Sequence, residues 1–436
     1  MTDSRVTAWL RRAPPAAFAL YGGTAAFATY FAMYAYRKPF AAAAYDHVAG
    51  WPFALPFKVA LVIAQVAGYA LAKAIGIKVV SELAPSRRAG AIVLLIALSE
   101  VALVVFALAP AGVGVAALFA NGLALGMIWG LVFGFLEGRR LTEVLGAILC
   151  ASFIVSSGAV KAAGAALLLG GWAGERWMPA ATGALFAPLL VAAVAALAQL
   201  PPPDAADEAA RTVRVPMDAA ARARFFRAYA GGLVPLILCY VLLSAFRDFR
   251  DNFAAEIWRE LGFAGEAAIF AWSELPVAAV VLAAMAMLVR VRDNTRALFW
   301  NLGMIAAGLA VMALATAAFE ARALGPLAWM VTVGAGLYLA YVPFNALLFD
   351  RLIAATGAAG TAGFLIYVAD TAGYGGSVGL LLLRSFAHLD LRFAHLLASV
   401  AYLTAAVGLA AVGVAAVALR RRLSGERGPV AVEAQA

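Results

Sequence analysis

The sequence predicts an all-α, polytopic membrane protein with 12 transmembrane helices in two pseudo-symmetric six-helix bundles. Three observations predict it. Hydrophobic residues make up 65% of the 436 residues and charged residues only 13%, against about 45–50% and about 25% in soluble domains. The chain therefore carries too few polar residues to cover a folded surface in water, and its mean hydropathy is +0.91. The apolar residues fall into a dozen runs of the length that crosses a bilayer core, about 20 residues. One long hydrophilic stretch, residues 201–228, divides those runs six and six.

Taken in order, residues 1–15 (MTDSRVTAWLRRAPP) are polar and basic and form a cytoplasmic N-terminal segment. The apolar run behind them is long and shows no small-residue cleavage signature, so it is read as a retained first span. The first six spans are predicted at about 16–44, 57–81, 89–109, 112–136, 142–170 and 178–199, inside an N-terminal bundle of residues 16–200. Residues 201–228 (PPPDAADEAARTVRVPMDAAARARFFRA) are read as a cytoplasmic linker. The second six follow at about 229–257, 267–289, 297–319, 327–349, 360–386 and 395–419, inside a C-terminal bundle of residues 229–419, and 420–436 is a cytoplasmic tail.

Charge placement orients the spans. Arg5, Arg11, Arg12, Arg87, Arg88, Arg139, Arg140, the linker residues Arg211, Arg214, Arg222, Arg224 and Arg227, then Arg290, Arg292, Arg296, Arg351, Arg420, Arg421, Arg422 and Arg427 fall on one side. The opposite loops hold few basic residues, chiefly Lys58, Arg176, Arg259, Arg322 and Arg392. The positive-inside rule then puts both termini and the linker in the cytoplasm of a cell bounded by the inner membrane. A net charge of +9 is thus topology, and no nucleic-acid partner is expected.

Cys150 and Cys239 lie inside apolar runs, which leaves nothing for a disulfide framework or a cysteine metal site. The sequence contains no phosphate-cradling Gly-Lys-Ser loop and no HExxH. Its hydrophilic segments are too short for an ATPase domain, so neither an enzyme nor a cofactor is expected.

The two halves repeat. Residues Tyr30 to Arg37 (YFAMYAYR) and Tyr240 to Arg247 (YVLLSAFR) place Tyr, Ala, an aromatic residue and Arg at identical offsets, 210 residues apart. A weaker echo links Phe135-Leu-Glu137-Gly-Arg139 with Leu348-Phe-Asp350-Arg351. Two parallel halves around a central linker resemble the arrangement of the major facilitator superfamily.

Intramembrane charges are the candidates for function, because each Arg or Lys at a helix centre costs about 2.5–3.5 kcal/mol on insertion scales. If the halves are related by a two-fold axis, Arg37 and Arg247 face one central cavity. Two guanidinium forks match the oxygens of a phosphate or carboxylate, and a shallow Arg37-Lys38 pair snorkelling to the interface is the competing reading. Lys73 follows Gln65 and Tyr69 at helical spacing, a polar stripe that faces protein or water rather than lipid. Lys161 follows Ser156-Ser157-Gly158, and Tyr34, Tyr36 and Tyr240 complete the candidate pocket. Along the seventh span, Arg247, Arg250 and Asp251 share a face, so some of this charge is expected to be self-paired, with Arg250, Asp248 and Asp251 as an ion-pair network at an outer gate. The acidic candidates Glu100, Glu274, Asp370 and Asp251 read as counter-ions or proton carriers. The histidines His47, His388 and His395 map to loops or span edges. Gly363 to Gly376 reads as close helix packing.

Tyr34-Ala-Tyr-Arg37-Lys38-Pro-Phe40 resembles the Arg-Lys-x-Phe signature on the first helix of the organophosphate:phosphate antiporters of the major facilitator superfamily. Tyr69-Ala-Leu-Ala-Lys73 is similar to that family's Tyr-x-x-Ser-Lys, and Ser81-Glu82 followed by Arg87 resembles its Ser-Asp-Arg loop. By this resemblance Arg37 and Arg247 clamp a phosphate and Lys73 assists. Pro39 and the spacing of the loop between spans 2 and 3 depart from the pattern, and the fifth span lacks the family's histidine. The chain also resembles a bacterial group of facilitator-like proteins through Tyr-Arg-Lys-Pro-Phe and through Tyr341-Val-Pro-Phe-Asn345-Ala-Leu-Leu-Phe-Asp350-Arg351.

The expectation is a monomeric secondary transporter, with the lipid bilayer and a small anionic molecule as its partners. Two arginines lacking facing carboxylates favour exchange with phosphate, because a bound anion neutralises the occluded site. The alternatives are a proton-coupled symporter of a carboxylate or sugar acid, and a non-transporting sensor or lipid-handling protein.

Overall fold

The structure is a computed structural model and describes residues 4–46, 48–205, 207, 219–356, 362–386 and 392–425. The linker residues 208–218 with Arg211 and Arg214, the tail from 426 with Arg427, and His47 and His388 lie outside the described residues. So do the side chains of Lys78, Ser81, Glu82, Arg222 and Tyr367.

Among the described residues the chain is helical throughout, without a strand. The first six membrane-length helices are α1 (Pro15–Tyr36), α2 (Phe57–Glu82), α3 (Arg88–Leu108), α4 (Ala111–Leu136), α5 (Thr142–Leu169) and α6 (Met178–Leu197). The second six are α7 (Ala219–Asn252), α8 (Ile269–Leu288), α9 (Asn294–Glu320), α10 (Pro326–Ala346), α11 (Ala362–Phe386) and α12 (Phe393–Gly425). Eleven of them, all but α11, are apolar enough over their described residues to cross a membrane. Helix α11 has 25 residues, about 37 Å at ~1.5 Å per residue. Asp370, Tyr374 and a run of glycines dilute its apolar character.

Several helix ends depart from the sequence reading, chiefly where a local signal competes with the apolar run. The first span stops at Tyr36 instead of continuing to 44, because Pro39 has no N–H to give and disfavours helix before it. The chain instead makes two 3-10 turns, Tyr34–Tyr36 and Pro39–Ala42, with Arg37 and Lys38 between them. Helix α7 begins at Ala219, inside the stretch read as linker, since Ala-Ala-Ala-Arg-Ala-Arg favours helix strongly. It ends at Asn252, and Phe253 (φ −109°, ψ 21°) leads into a short helix, Ala254–Glu260. Helix α10 ends at Ala346, three residues after Pro343, and a separate helix, Leu348–Thr356, follows.

The chain forms two compact units, one of Met1–Arg211, Phe249–Leu282 and Val378–Ala394, the other of Thr212–Asp248, Ala283–Ser377 and His395–Ala436. Residues 249–282 and 378–394, read from the sequence as part of the second bundle, thus group with the first. Arg250, Asp251, Glu256 and Arg384 find partners there.

In the first unit α1 packs on α5 and α6, α2 on α4, and α3 on α4 and α6. A Cβ on Gly122 would collide with the Gln65 carbonyl, and one on Gly68 with the Phe119 carbonyl. Glycine on both helices is what lets α2 and α4 approach this closely. In the second unit α9 and α10 pack by the same reciprocal device, through Gly308 and Gly336. Gly376 of α11 lies against Val241 of α7 in that unit.

Candidate functional site

The first unit builds a cluster around Arg37. Its backbone N–H and that of Lys38 both donate to the Tyr34 carbonyl, at 3.0 and 2.9 Å, which holds the turn that ends α1. Two amides carried by the close α2–α4 pair anchor this turn. Gln65 Nε2 donates to the Arg37 carbonyl (3.0 Å) and to Asn121 Oδ1 (2.8 Å). Asn121 Nδ2 donates to the Tyr36 carbonyl (3.0 Å) and to Ser99 Oγ (2.7 Å). The guanidinium carbon of Arg37 lies 4.0 Å from the ring centre of Tyr69 and 5.7 Å from that of Tyr34. The hydroxyls of Tyr69 and Tyr30 stand 3.4 Å apart, and Lys73 Nζ lies 5.6 Å from the Tyr69 ring. Tyr36 turns elsewhere, toward Gly183 of α6 and Glu100 of α3.

Beside the turn, also in the first unit, two lysines share one carboxylate. Lys38 Nζ meets Asp251 Oδ2 at 2.5 Å and Asn252 Oδ1 at 3.0 Å. Lys161 Nζ meets Asp251 Oδ1 at 2.6 Å, and Ser157 Oγ donates to that same oxygen. Lys38 is 5% exposed and Lys161 3%, so Lys38 does not snorkel to an interface. Arg250 donates to Glu274 Oε1 at 2.8 Å rather than to Asp251 one residue on. Lys58 donates to Glu256 Oε1 at 2.6 Å and to the Ala41 carbonyl at 2.9 Å.

The second unit builds a related cluster around Arg247. The guanidinium donates through Nε and Nη2 to Asp248 Oδ1, at 2.9 and 2.7 Å. Nη1 donates to the Tyr341 hydroxyl, and the guanidinium carbon stands 4.4 Å from the Tyr341 ring centre. The hydroxyls of Tyr240 and Tyr341 are 2.8 Å apart, and Tyr240 donates to Asp370 Oδ1. Ser377 donates to the other Asp248 oxygen at 2.7 Å. Arg247 therefore has a facing carboxylate, contrary to the expectation that both arginines lack one.

Each half of the repeat thus carries the same local arrangement. An arginine follows a tyrosine by seven residues, and a second tyrosine from another helix meets the first at its hydroxyl and lies under the guanidinium. The second tyrosine comes from α2 in one unit and α10 in the other. The two chain segments diverge just after the arginine: Lys38 stands where Asp248 does, and Pro39 two residues past Arg37 stops α1 at Tyr36, whereas Phe249 at the same offset lets α7 continue past Arg247.

Sequence reasoning had no means to pair Lys38 with Asp251 or Asp248 with Arg247, and it passed over Asn121. An asparagine alone in the apolar run 112–136 was the available signal. Among the described residues no group of three or more His, Cys, Asp or Glu side chains could hold a metal ion.

The twelve helices and their parallel repeat make this the major facilitator fold. A D-xylose–proton symporter is similar at TM-score 0.59 and 12% identity, over 91% of this chain and 95% of that one. A bacterial homologue of the human lysosomal transporter Spinster, inward-facing and unoccupied, is similar at TM-score 0.55 and 12% identity, over 98% of both chains. A peptide transporter, POT, in complex with sulfate is similar at 0.57 and 14% identity, over 93% of this chain and 95% of that one. No curated protein matches the chain in sequence. The chain belongs to the family described as a family of unknown function, DUF5690, whose pattern matches residues 39–422.

Proposed function

We propose that this protein is a secondary transporter that moves a small organic anion, a phosphate ester foremost, across the inner membrane by alternating access in exchange for phosphate. Both termini are cytoplasmic in this reading, the protein acts as a monomer, and it performs no covalent chemistry. One observation carries the proposal. Each half of the repeat holds an arginine over a tyrosine ring, which fixes a planar bidentate donor in a low-dielectric setting. The two-to-one ratio of lysine to carboxylate at Lys38, Lys161 and Asp251 adds positive character in the first unit.

A second reading, proton-coupled symport of a carboxylate or sugar acid, draws support from Asp248 and Asp370 in the Arg247 cluster. One structural neighbour is itself a proton symporter.

Proteoliposomes loaded with radiolabelled phosphate and challenged with external phosphate esters and carboxylates test the proposal. Efflux stimulated by a phosphate ester, and lost in Arg37→Lys and in Arg247→Lys, is the expected result. Transport unchanged in both variants removes the arginines from the mechanism. Stimulation by carboxylates under an imposed pH gradient selects the symport reading, and binding without flux selects a sensor.

A further inference from the structure

The carboxylates of the two units are not equivalent. Asp251 has Lys38 and Lys161, Glu274 has Arg250, Glu256 has Lys58, Asp248 has Arg247 and Ser377, and Asp370 has the Tyr240 hydroxyl. Glu100, in the middle of α3, has no ion pair and no hydrogen bond among the described residues. Its Oε2 is buried without a donor. The oxygen sits in a notch that Gly183 of α6 leaves open, since a Cβ there would collide with it, and the Tyr36 ring edges the same notch, 3.0 Å from that Cβ position.

The groups that could stabilise a charge at Glu100 can be named element by element. Helix α3 is packed by α4, by α6, and by the turns Tyr34–Tyr36 and Pro85–Arg87. Helices α4 and α6 carry no titratable side chain along their length. The turns bring Tyr34, Tyr36 and Arg87, and α3 itself has Arg88, which donates to the Gly134 carbonyl. Arg87 and Arg88 are more than three helical turns from Glu100, about 18 Å at ~1.5 Å per residue. A carboxylate with neither donor nor counter-charge is costly in a low dielectric, and the side chain takes up a proton instead.

We infer that Glu100 is a proton-binding site whose occupancy is coupled to anion binding at Arg37. Only the second half of this inference rests on the anion-transport reading. The route of coupling is short. Glu100 shares the Gly183 notch with the Tyr36 ring, and Ser99 beside it ends the Gln65–Asn121–Ser99 chain that holds the Tyr36 and Arg37 carbonyls. A neutral Glu100 stays in the notch and leaves the Tyr36–Arg37 turn seated, whereas ionisation draws the carboxylate toward water, displaces Tyr36 and loosens the turn that presents Arg37 to an anion. By linkage, the bound anion raises proton occupancy equally, so proton and anion load together.

The test needs no knowledge of the natural substrate. Infrared difference spectra of the full-length protein in lipid nanodiscs, taken between acidic and alkaline buffer, should contain a protonated-carboxyl C=O band that disappears in Glu100→Gln. The same band in Glu100→Gln overturns the assignment. Glu100→Asp keeps the acid and should shift the band, which covers the case of a Gln variant that fails to fold. Calorimetric titration with inorganic phosphate reads the coupling. Wild-type affinity should change with pH by up to about tenfold per pH unit more than that of Glu100→Gln, as one coupled proton requires. Equal pH dependence in the two proteins overturns the coupling. Absence of phosphate binding with the infrared band present overturns the phosphate reading and leaves the proton site standing.

Discussion

Arg247 spends two of its donors, Nε and Nη2, on a single oxygen of Asp248, the residue that follows it in α7. An incoming anion competes with this neighbour for the guanidinium. Replacing Asp248 with Asn keeps the shape and removes the competing charge. A charge-assisted hydrogen bond contributes about 1.5–3 kcal/mol, so Asp248→Asn should bind inorganic phosphate about tenfold or more tighter while exchange slows. Calorimetry and flux on the same preparation check both halves.

Pro39 separates the two halves of the repeat. In Pro39→Ala the first helix is free to continue past Arg37, as α7 continues past Arg247, which would swing the guanidinium off the Tyr69 ring. The expected outcome is unchanged or raised thermal stability with exchange lost. A normal flux in the variant would show that the turn is incidental.

Asp251 holds two buried lysines. Removing one partner of a buried pair costs about 3–5 kcal/mol because it leaves charge uncompensated. Asp251→Asn should therefore lower the melting temperature markedly, and Asp251→Asn with Lys161→Met should recover part of the loss. Thermal unfolding in detergent measures both, and the double variant separates charge from packing.

Tyr69 offers Arg37 a ring and Tyr30 a hydroxyl. Tyr69→Phe keeps the ring and should retain most phosphate affinity, while Tyr69→Leu removes a contact worth about 0.5–2 kcal/mol. Equal affinity in the two variants would exclude a role for the ring face.

Asp207, at the start of the linker, is a carboxylate outside the spans whose pKa departs from the ordinary value. Partial burial pushes its carboxyl up, but the backbone N–H groups of Arg140 and Asp204 and the Arg140 side chain outweigh burial and hold it below the ordinary 3.8. Stabilisation is complete above 3.8 and is lost as pH falls through the depressed folded value. A spin label at Ala205 should gain mobility on acidification in the wild type and be mobile at every pH in Asp207→Asn.

Much of the fold was legible because bilayer crossing is a local property. A run such as 89–109 needs only its own composition and length to be read as a helix. Helix ends were less legible where a local signal competed with the apolar run, as Pro39 did in the first span and the alanine-rich start of α7 did in the linker. The site was legible as a set of charged residues and not as a set of pairs. Helical angle alone put Arg250 with Asp251, yet Arg250 pairs with Glu274 and Asp251 with Lys38 and Lys161. Partner choice depends on which helices abut, and on glycines such as Gly158, whose missing Cβ admits Phe270 and Glu274 of α8 against α5.

By itself the sequence determined that the chain crosses the membrane many times, that it repeats, and that positive charge sits inside the apolar spans. Hydropathy and offset are sums over neighbouring residues, so they survive without coordinates. Only the tertiary structure decided which charges neutralise one another. An ion pair such as Lys161–Asp251 joins residues 90 positions apart, and its energy depends on distances and burial that packing alone sets. The same packing leaves Glu100 without a donor, a fact invisible in a sequence where it reads like any other acid.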